Sequence, residues 1–384
     1  MGLDGSDAQG PLHGVRVLDF TQNLPGPYAT LLLAQLGAEV VKVEPPRGDP
    51  ARHLGPMFEL LNRGKRGIVL DLRTDEGQAD ALELVRWCHV LVEGFRPGVM
   101  DRLGVGVDAC RSANPRLIYC SVSAHGQHGP RATDPGHDLN LQALAGLCHL
   151  ERGADGPRGT VLPIADFSTS LSATTAICAA LASERRGFQH LDIAMRDAVQ
   201  DWTQIWNTGI DPIGSATRAA PRPMKRALRR LRRWGPVDTI DRKKLYNLPH
   251  YGLFKTRDRR WLALGIVDEN HFWRALCATL GLKPLAGLKL PARAALGPVL
   301  RAVVAARFRT RTRADWLASL RAAGVPATAV LDGEGSRNSA LADGAIRPPL
   351  PGAAMITRPA PDLGEHTQTV LASCRDAATT RSLA

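Results

Sequence analysis

Apolar and polar positions alternate with two different periods along the first half of the chain. Short apolar runs with β-branched residues at 15–20 and 38–44 predict strands, and two prolines stop the second run. Between them, the spacing of apolar residues in "GPYATLLLAQLG" predicts a helix that ends at Gly37. The same rhythm continues in three strands and one helix, at 67–72, 89–95, 116–124 and 75–88. This order predicts an α/β fold with a mostly parallel sheet flanked by helices.

The alternation of strands and helices continues for one further helix and one strand–helix pair, and then ends. An Ala-rich apolar stretch after Asp166 predicts a buried helix ending at Gly187, and a strand leading into a helix follows it. A Pro- and Arg-rich segment then separates this part from "YGLFKTRDRRWLALGI", which predicts a β-hairpin, and from a last strand at 327–332. We therefore predict four parts: a large α/β domain at 1–206, a linker or arm at 207–240, a small α+β domain at 241–335 and a C-terminal tail at 336–384.

The composition is that of a globular protein large enough to bury a sizeable core. The chain has 384 residues, of which 44% are hydrophobic and 22% charged. No stretch approaches the roughly 18 uninterrupted apolar residues of a membrane span. The first residues, "MGLDGSDAQGPLHG", lack the basic and apolar regions of a secretory signal, so we expect a cytoplasmic protein without a membrane partner.

Cysteine and other ligand-type residues argue against metal chemistry. The seven cysteines are scattered and form no C-x-x-C pair, which speaks against a structural zinc site and a disulfide framework. No set of His, Asp and Glu residues shows metal-ligand spacing, so we expect metal-free chemistry.

The positive charge of the chain is partly local. The net charge is +12, and Arg218–Trp234 is rich in arginine and contains no acidic residue. Such a run is typical of a solvated helix or of an arm that covers a partner subunit, although it could also bind an anionic ligand. Because no zinc finger, RNA-recognition core or basic zipper accompanies it, sequence-specific nucleic-acid binding is not expected. A non-catalytic protein that binds an anionic cofactor or nucleic acid through this run is one hypothesis.

Several motifs together resemble one enzyme family over nearly the whole chain. The opening "PLHGVRVLDFTQNLPGPYATLLLAQLGAEVVKVEPPRGDP" is followed in order by "LNRGKRGIVLDLRTDEG", "VLVEGFRPGVMDRLGVG", "GHDLNLQALAG", "LPIADFSTS" and "AGVPATAVL". This succession resembles the family III CoA-transferases of the CaiB/BaiF type, a group that includes α-methylacyl-CoA racemases.

The resemblance implies an architecture and a cofactor. It implies a large Rossmann-like domain completed by the C-terminal tail, a smaller domain, and an interlinked, ring-shaped homodimer. It also implies coenzyme A, bound as an acyl-CoA substrate near Lys65, Arg66, Phe95, Arg102 and Leu103. Cations suit phosphates and a flat apolar wall suits adenine. Gly94 departs from the asparagine that is common in the transferases.

Two chemistries share Asp166, which the sequence places at a strand-to-helix turn where an N-cap role is also possible. In the transferases the matching aspartate attacks the thioester, and an aspartyl-CoA thioester then passes CoA to a carboxylic acid. In the racemases the aspartate and a histidine remove and return the α-proton from opposite faces. His137 stands 29 positions before Asp166, as in the racemases.

The remaining motifs are divided between these chemistries. Asp268 or Glu269 matches the carboxylate that orients the racemase histidine, Leu24 replaces a transferase glutamine, and 207–217 lacks a glycine-rich run. Against the racemase are Asn140 with Leu141, and Ser168–Ser170 where a glycine triplet is usual. We interpret the balance as favouring racemase chemistry. The alternative is a CoA transferase with a carboxylate co-substrate.

Asp138 is interpreted as a cap of the helix near Leu139 or as a group that tunes the charge of His137.

Overall fold

The computed structural model describes residues 10–151, 155–184, 187–207, 248–336, 350 and 352–382. The chain divides into two compact units. The first comprises Met1–Gln204 with Arg347–Ala384, and the second comprises Ile205–Ile346. The domain boundaries predicted from the sequence stay predictions, since several of them fall near residues outside the described ranges.

The first unit is built on a six-stranded parallel sheet. Its strand order is β3-β2-β1-β4-β5-β6, and every neighbouring pair is parallel. The strands are β1 (Arg16–Asp19), β2 (Glu39–Glu44), β3 (Arg66–Val69), β4 (Val90–Glu93), β5 (Ile118–Ser123) and β6 (Gln189–Ala194). The predicted α/β class with a parallel sheet is confirmed.

Helices cover both faces of this sheet. They are α1 (Pro25–Gln35), α2 (Pro56–Asn62), α3 (Asp75–Trp87), α4 (Val99–Arg102), α5 (Val107–Ala113), α6 (Asp138–Leu144), α7 (Leu147–Leu150), α8 (Ile164–Ala182), α9 (Met195–Asn207) and, after the second unit, α14 (Thr367–Ser382). A short 3-10 helix, Pro50–Leu54, follows β2.

The alternation of side chains along the strands explains the two helix layers. Neighbouring residues Val17 and Leu18 of β1 are both fully buried, but each belongs to a different apolar cluster. The cluster around Leu18 includes residues of α3 and α14, and the cluster around Val17 includes residues of α1 and α8. Strands of a parallel sheet are therefore apolar on both faces, as the continuous apolar runs predicted.

Helix α8 is the central apolar helix of the unit. Among the described residues it is the one helix with the length and hydropathy of a membrane span, with 44% of that window buried inside the protein. It packs against α1, α6, β5 and β6, which is the environment of a core helix. It ends at Ala182, before the predicted Gly187, because the backbone becomes extended at Ser183.

The second unit has its own sheet and core. Strands β7 (Tyr251–Lys255) and β8 (Trp261–Gly265) form the predicted antiparallel hairpin, and β9 (Ala327–Ala329) pairs with β8. The last strand is Ala327–Ala329, shorter than the predicted 327–332. Within the described part of this unit the helices are α10 (Asn270–Thr279), α11 (Leu290–Ala295), α12 (Gly297–Phe308) and α13 (Arg313–Ala322), with a 3-10 turn at Lys283–Leu285. This confirms the predicted smaller α+β part.

Candidate active site

A cavity of about 230 Å³ opens at the carboxyl ends of β1, β4 and β5. The strand order reverses between β1 and β4, and in open α/β sheets ligands bind in the crevice at such a reversal. The fold therefore places this cavity where a substrate site is expected. Its lining residues are Thr21, Gln22, Asn23, Pro25, Gly26, Gly94, Phe95, Arg96, Pro97, Val122, Ser123, Ala124, Ala132, Asp134, Pro135, Gly136, His137, Asp166 and Met195.

Asp166 contributes a half-buried carboxyl group to the cavity wall. It is the third residue of α8, which begins directly after Pro163, and no strand precedes it among residues 155–163. The predicted strand-to-helix turn and N-cap position are therefore wrong. Burial raises the pKa of Asp166 to about 7, and the negative charge of Asp138 adds to the effect.

Asp138 caps the helix that carries Asp166. Its Oδ1 accepts hydrogen bonds from the backbone N–H groups of Ala165, at 2.7 Å, and Asp166, at 3.2 Å. Asp138 is itself the first residue of α6, so the prediction that it caps that helix is wrong. The first amides of α8 are already satisfied by this carboxylate, and they are not available as oxyanion donors.

The small residues after Asp166 face the protein interior. Ser168, Thr169 and Ser170 are fully buried. Their hydroxyl groups donate to helix carbonyls, Ser168 and Thr169 to Ala165 O and Ser170 to Asp166 O. Ser170 Oγ also lies 2.7 Å from the carbonyl oxygen of Pro25. These contacts fasten α8 to the start of α1. The three hydroxyl groups are therefore engaged within the protein and are not aimed at the cavity.

His137 lines the same cavity as Asp166. It is the residue just before α6, and its backbone N–H donates to Asn140 Oδ1 at 3.0 Å. Its side chain is largely exposed. The structure thus brings together the two residues that the sequence singled out, because the starts of α6 and α8, at Asp138 and Ile164, lie at the same cavity.

The loop after β4 also lines the cavity. Phe95 lines the cavity, and its backbone N–H donates to Glu93 Oε2 at 2.8 Å. Burial raises the pKa of Glu93 to about 7. Phe95 and Leu103 also pack against the core beneath α3, while Arg102 is exposed at the end of α4. Of the predicted CoA-binding residues, only Phe95 lines the cavity.

The structure contradicts the predicted role of Lys65 in CoA binding. Its side chain is fully buried, and Nζ lies within 3.0 Å of four acceptors: Asp19 Oδ2, the Pro27 carbonyl, Thr30 Oγ1 and Asn62 Oδ1. The ammonium has three hydrogens, so none is left for a phosphate. Burial lowers its pKa to about 8, partly offset by Asp19.

The guanidinium of Arg66 also has a partner, a glutamate on the neighbouring strand β2. Its Nη1 lies 2.9 Å from Glu39 Oε1, and this pair is partly exposed to solvent. Neither Lys65 nor Arg66 lines the cavity.

A second buried cation, Lys42, was missed from the sequence. Its Nζ lies 2.9 Å from Asp49 Oδ2 and donates to the carbonyl oxygen of Thr21 at 2.9 Å. Asp49 in turn accepts a hydrogen bond from the backbone N–H of Asn23, whose φ of 64° is in the left-handed region. Thr21 and Asn23 line the cavity, so this network holds the β1–α1 loop in place. The available signal was a lysine inside the apolar run of β2.

Asp268 and Glu269 belong to the second unit. Asp268 is exposed, and its Oδ1 lies 3.8 Å from Nη2 of the buried Arg293. Glu269 precedes α10, and its Oε2 accepts a hydrogen bond from the backbone N–H of Val267 at 2.9 Å. Support of His137 by either carboxylate stays a prediction. Arg218–Trp234 and the glycines of 207–217 lie outside the described residues.

None of the seven cysteines lines the cavity. All seven cysteines are free thiols, five of them buried. Burial raises the pKa of Cys277 to about 11, typical of an unreactive structural cysteine. Within the described ranges, no group of three His, Cys, Asp or Glu residues is arranged to hold a metal ion.

A family model described as CoA-transferase family III matches residues 12–344. The chain belongs to this family. The resemblance seen in the sequence motifs is thereby confirmed.

Characterised family members support the same assignment. The acetyl-CoA:oxalate CoA-transferase of Acetobacter aceti is 34% identical over 344 residues, which cover 84% of this chain and 82% of that protein. The succinyl-CoA:glutarate CoA-transferase of Mus musculus is 31% identical over 341 residues, covering 83% and 72%. A crystal structure of a CaiB/BaiF family protein from Brucella suis superimposes with a TM-score of 0.77 at 27% identity, covering 96% of this chain and all of that one.

Membership in CoA-transferase family III fixes the general chemistry. Enzymes of this kind use CoA thioesters as substrates, so the cavity that contains Asp166 belongs to a CoA-dependent enzyme. The relatives named above are transferases, and none of their names refers to racemisation. The comparisons therefore support the transferase alternative better than the racemase interpretation that the sequence favoured.

Proposed function

We propose that the protein is a CoA transferase that moves CoA from an acyl-CoA to a carboxylic acid through Asp166. The observation that carries the proposal is the position of Asp166, a half-buried carboxyl group in the cavity at the strand-order reversal. The names of the relatives pair an acyl-CoA with a carboxylic acid, acetyl-CoA with oxalate and succinyl-CoA with glutarate. For this protein we likewise propose an acyl-CoA as CoA donor and a carboxylic acid as CoA acceptor.

The reaction proceeds through two exchanges at the Asp166 carboxyl group. An oxygen of Asp166 attacks the thioester carbonyl, the C–S bond breaks, and CoA leaves as a thiolate while the acyl group stays on Asp166 as an acyl-aspartyl anhydride. The thiolate then attacks the aspartyl carbonyl, which releases the first carboxylate and leaves an aspartyl-CoA thioester. The second carboxylate repeats these steps in reverse order, forming an anhydride and then its own CoA thioester. Asp166 ends as the free carboxylate.

The environment of Asp166 suits a nucleophile. Burial removes water from the carboxyl group, and its raised pKa makes the ionised form a stronger base than an exposed aspartate. Asp138 fixes the start of α8, so the position of Asp166 is set by the helix rather than by a loop. Both features are built into the fold before a substrate binds.

A second candidate function is α-proton exchange on a 2-methylacyl-CoA. The observation that favours it is that His137 and Asp166 line one cavity. Proton removal and return require two bases at the same carbon, and these two residues supply them if the α-carbon lies between them.

The decisive assay measures both reactions on one sample. Acyl-CoA is incubated in D₂O with an isotopically labelled carboxylic acid, and mass spectrometry follows label in the CoA thioester and deuterium at the α-carbon. The proposal predicts carboxylic-acid label without α-deuterium, loss of exchange by at least about 1,000-fold in Asp166→Asn, and retained exchange in Asp134→Asn. Asp134 is a matched control because its carboxylate is exposed in the same cavity. Deuterium incorporation without acid exchange would instead establish the second candidate.

A further inference from the structure

Two neighbouring loops of the second unit carry a dense cluster of positive charge. One is the turn between β7 and β8, and the other joins α12 to α13. The backbone N–H of Arg257 donates to the carbonyl oxygen of Arg311 at 3.0 Å, and that of Arg313 donates to Asp258 Oδ1 at 3.1 Å, so the loops are held side by side. Six exposed cations on these loops and at the end of β7 form what we call the basic surface: Lys255, Arg257, Arg259, Arg260, Arg309 and Arg311.

Neighbouring carboxylates do not neutralise the basic surface. The nearby Asp258 and Asp315 each accept a hydrogen bond from the hydroxyl group of a threonine close in sequence. In the part of the second unit that the structure describes, the one ion pair joins Asp268 to Arg293, and both lie outside the basic surface. The six cations are therefore left without a carboxylate partner.

Large apolar side chains are exposed beside these cations. Leu253 and Trp261 lie on one face of the β7–β8 hairpin, because Trp261 pairs with Lys255, two residues after Leu253. They are 48% and 45% exposed, and Lys255 Nζ lies 5.9 Å from the centre of the Trp261 ring. Leu331, which is also exposed, follows Val330, whose backbone N–H donates to the carbonyl oxygen of Trp261.

Unpaired cations next to exposed apolar side chains match the surface of an anionic lipid bilayer. Arginine binds phosphate through two parallel hydrogen bonds, and basic side chains are attracted to negatively charged headgroups. Tryptophan is favoured at the boundary between headgroups and acyl chains, where leucine also leaves water. Nucleic acid offers phosphates and bases that stack on Trp261, but no apolar region for Leu253 and Leu331. The apolar side chains therefore favour lipid as the partner.

We propose that the basic surface is a peripheral docking site for membranes that contain anionic lipids. Its cations bind lipid phosphates, while Trp261 and Leu253 enter the headgroup region. The proposal differs from the sequence-based expectation of no membrane partner, which considered only spanning segments and a secretory signal. It is independent of the reaction at Asp166, because every residue of the docking site belongs to the second unit.

The test measures co-sedimentation of the full chain with lipid vesicles. Phosphatidylcholine vesicles are compared with vesicles in which part of this lipid is replaced by phosphatidylglycerol. We expect binding only to the anionic vesicles, and weaker binding as salt is added. The triple variant Arg257→Ala, Arg259→Ala, Arg309→Ala should lower the partition coefficient about 100-fold, since each cation near such a surface contributes about 5-fold. Trp261→Ala should weaken binding at every salt concentration, because salt does not screen an apolar contribution.

The matched control is the triple variant Arg73→Ala, Arg86→Ala, Arg111→Ala. It removes the same amount of charge from exposed arginines of the first unit, each of which pairs with a carboxylate. We expect this variant to bind anionic vesicles like the wild type. Thermal unfolding of both triple variants should remain cooperative and close to that of the wild type, so that a loss of binding reports the surface and not the fold.

Four results would overturn the proposal. The first is a wild-type protein that binds neither kind of vesicle, or both equally. The second is an equal loss of binding in the two triple variants, which would assign the effect to net charge. The third is single-stranded RNA that binds the basic surface more tightly than anionic vesicles and displaces them. The fourth is a wild-type oligomer that dissociates in the basic-surface variant, as measured by sedimentation velocity, which would assign the surface to contact between two copies of the chain.

Discussion

Two effects raise the pKa of Asp166. Burial is the larger cause of its raised pKa, and Asp138 is the smaller one. Asp138 thereby has two opposite effects: its charge disfavours ionisation of Asp166, and its hydrogen bonds to Ala165 and Asp166 hold the helix start. The carboxylate that caps α8 thus also raises the pKa of the proposed nucleophile, in addition to its structural role.

The pH dependence of acylation should report this arrangement. Only the carboxylate attacks, so the rate should fall as pH drops through the Asp166 pKa of about 7 and level off above it. Asp138→Asn removes the neighbouring charge and keeps an oxygen that accepts the two N–H groups. We expect its acidic limb to move to lower pH without reaching that of an exposed aspartate, because burial remains. The measurement is single-turnover acylation across the neutral range.

Asp134→Asn is the control for this profile, since Asp134 is exposed and is not among the causes of the Asp166 shift. An Asp138→Asn profile identical to wild type, or one displaced to higher pH, would show that the two carboxyl groups are not coupled.

Among the elements, the β1–α1 loop depends most on buried charge. Burial alone would raise the pKa of Asp19, but Lys65 and Lys42 outweigh it and hold that pKa well below its usual range. Lys42 donates a hydrogen bond to the carbonyl oxygen of Thr21 in this loop, and Asp49 accepts one from the backbone N–H of Asn23. The loop that forms one wall of the cavity is therefore tied to β2 and β3 by ion pairs and hydrogen bonds.

Lys42→Met should destabilise the first unit strongly. The substitution leaves Asp49 buried without its cation, and breaking one partner of a buried ion pair costs about 3–5 kcal/mol. Arg66→Met is the matched control, because its pair with Glu39 is partly exposed and should contribute at most about 1 kcal/mol. Urea unfolding of both variants measures the two costs. Equal costs would mean that the Lys42 network does not hold the loop.

For the whole molecule, the sequence was sufficient to predict local secondary structure, but it did not predict the long-range contacts. The apolar periods were sufficient for the strands, the main helices and the hairpin, because each depends on residues close together in sequence. They could not show that Asp138 caps a helix starting 26 residues later, or that Lys65 is enclosed by Asp19 and Thr30. Such contacts depend on how the strands are ordered, which sequence spacing does not specify.

The candidate site was likewise predictable only in part. The motifs identified Asp166, His137 and Phe95, and the fold places all three around one cavity. The interlinked homodimer implied by the family resemblance stays a prediction.

The most direct test of the central claim is to trap Asp166 itself. The enzyme is incubated with acyl-CoA and no acceptor, treated with hydroxylamine, digested, and analysed by peptide mass spectrometry. The account predicts a hydroxamate at Asp166, formed only when acyl-CoA is present, with Asp134 unmodified. An unmodified Asp166 in an enzyme that still exchanges CoA between carboxylic acids would contradict it.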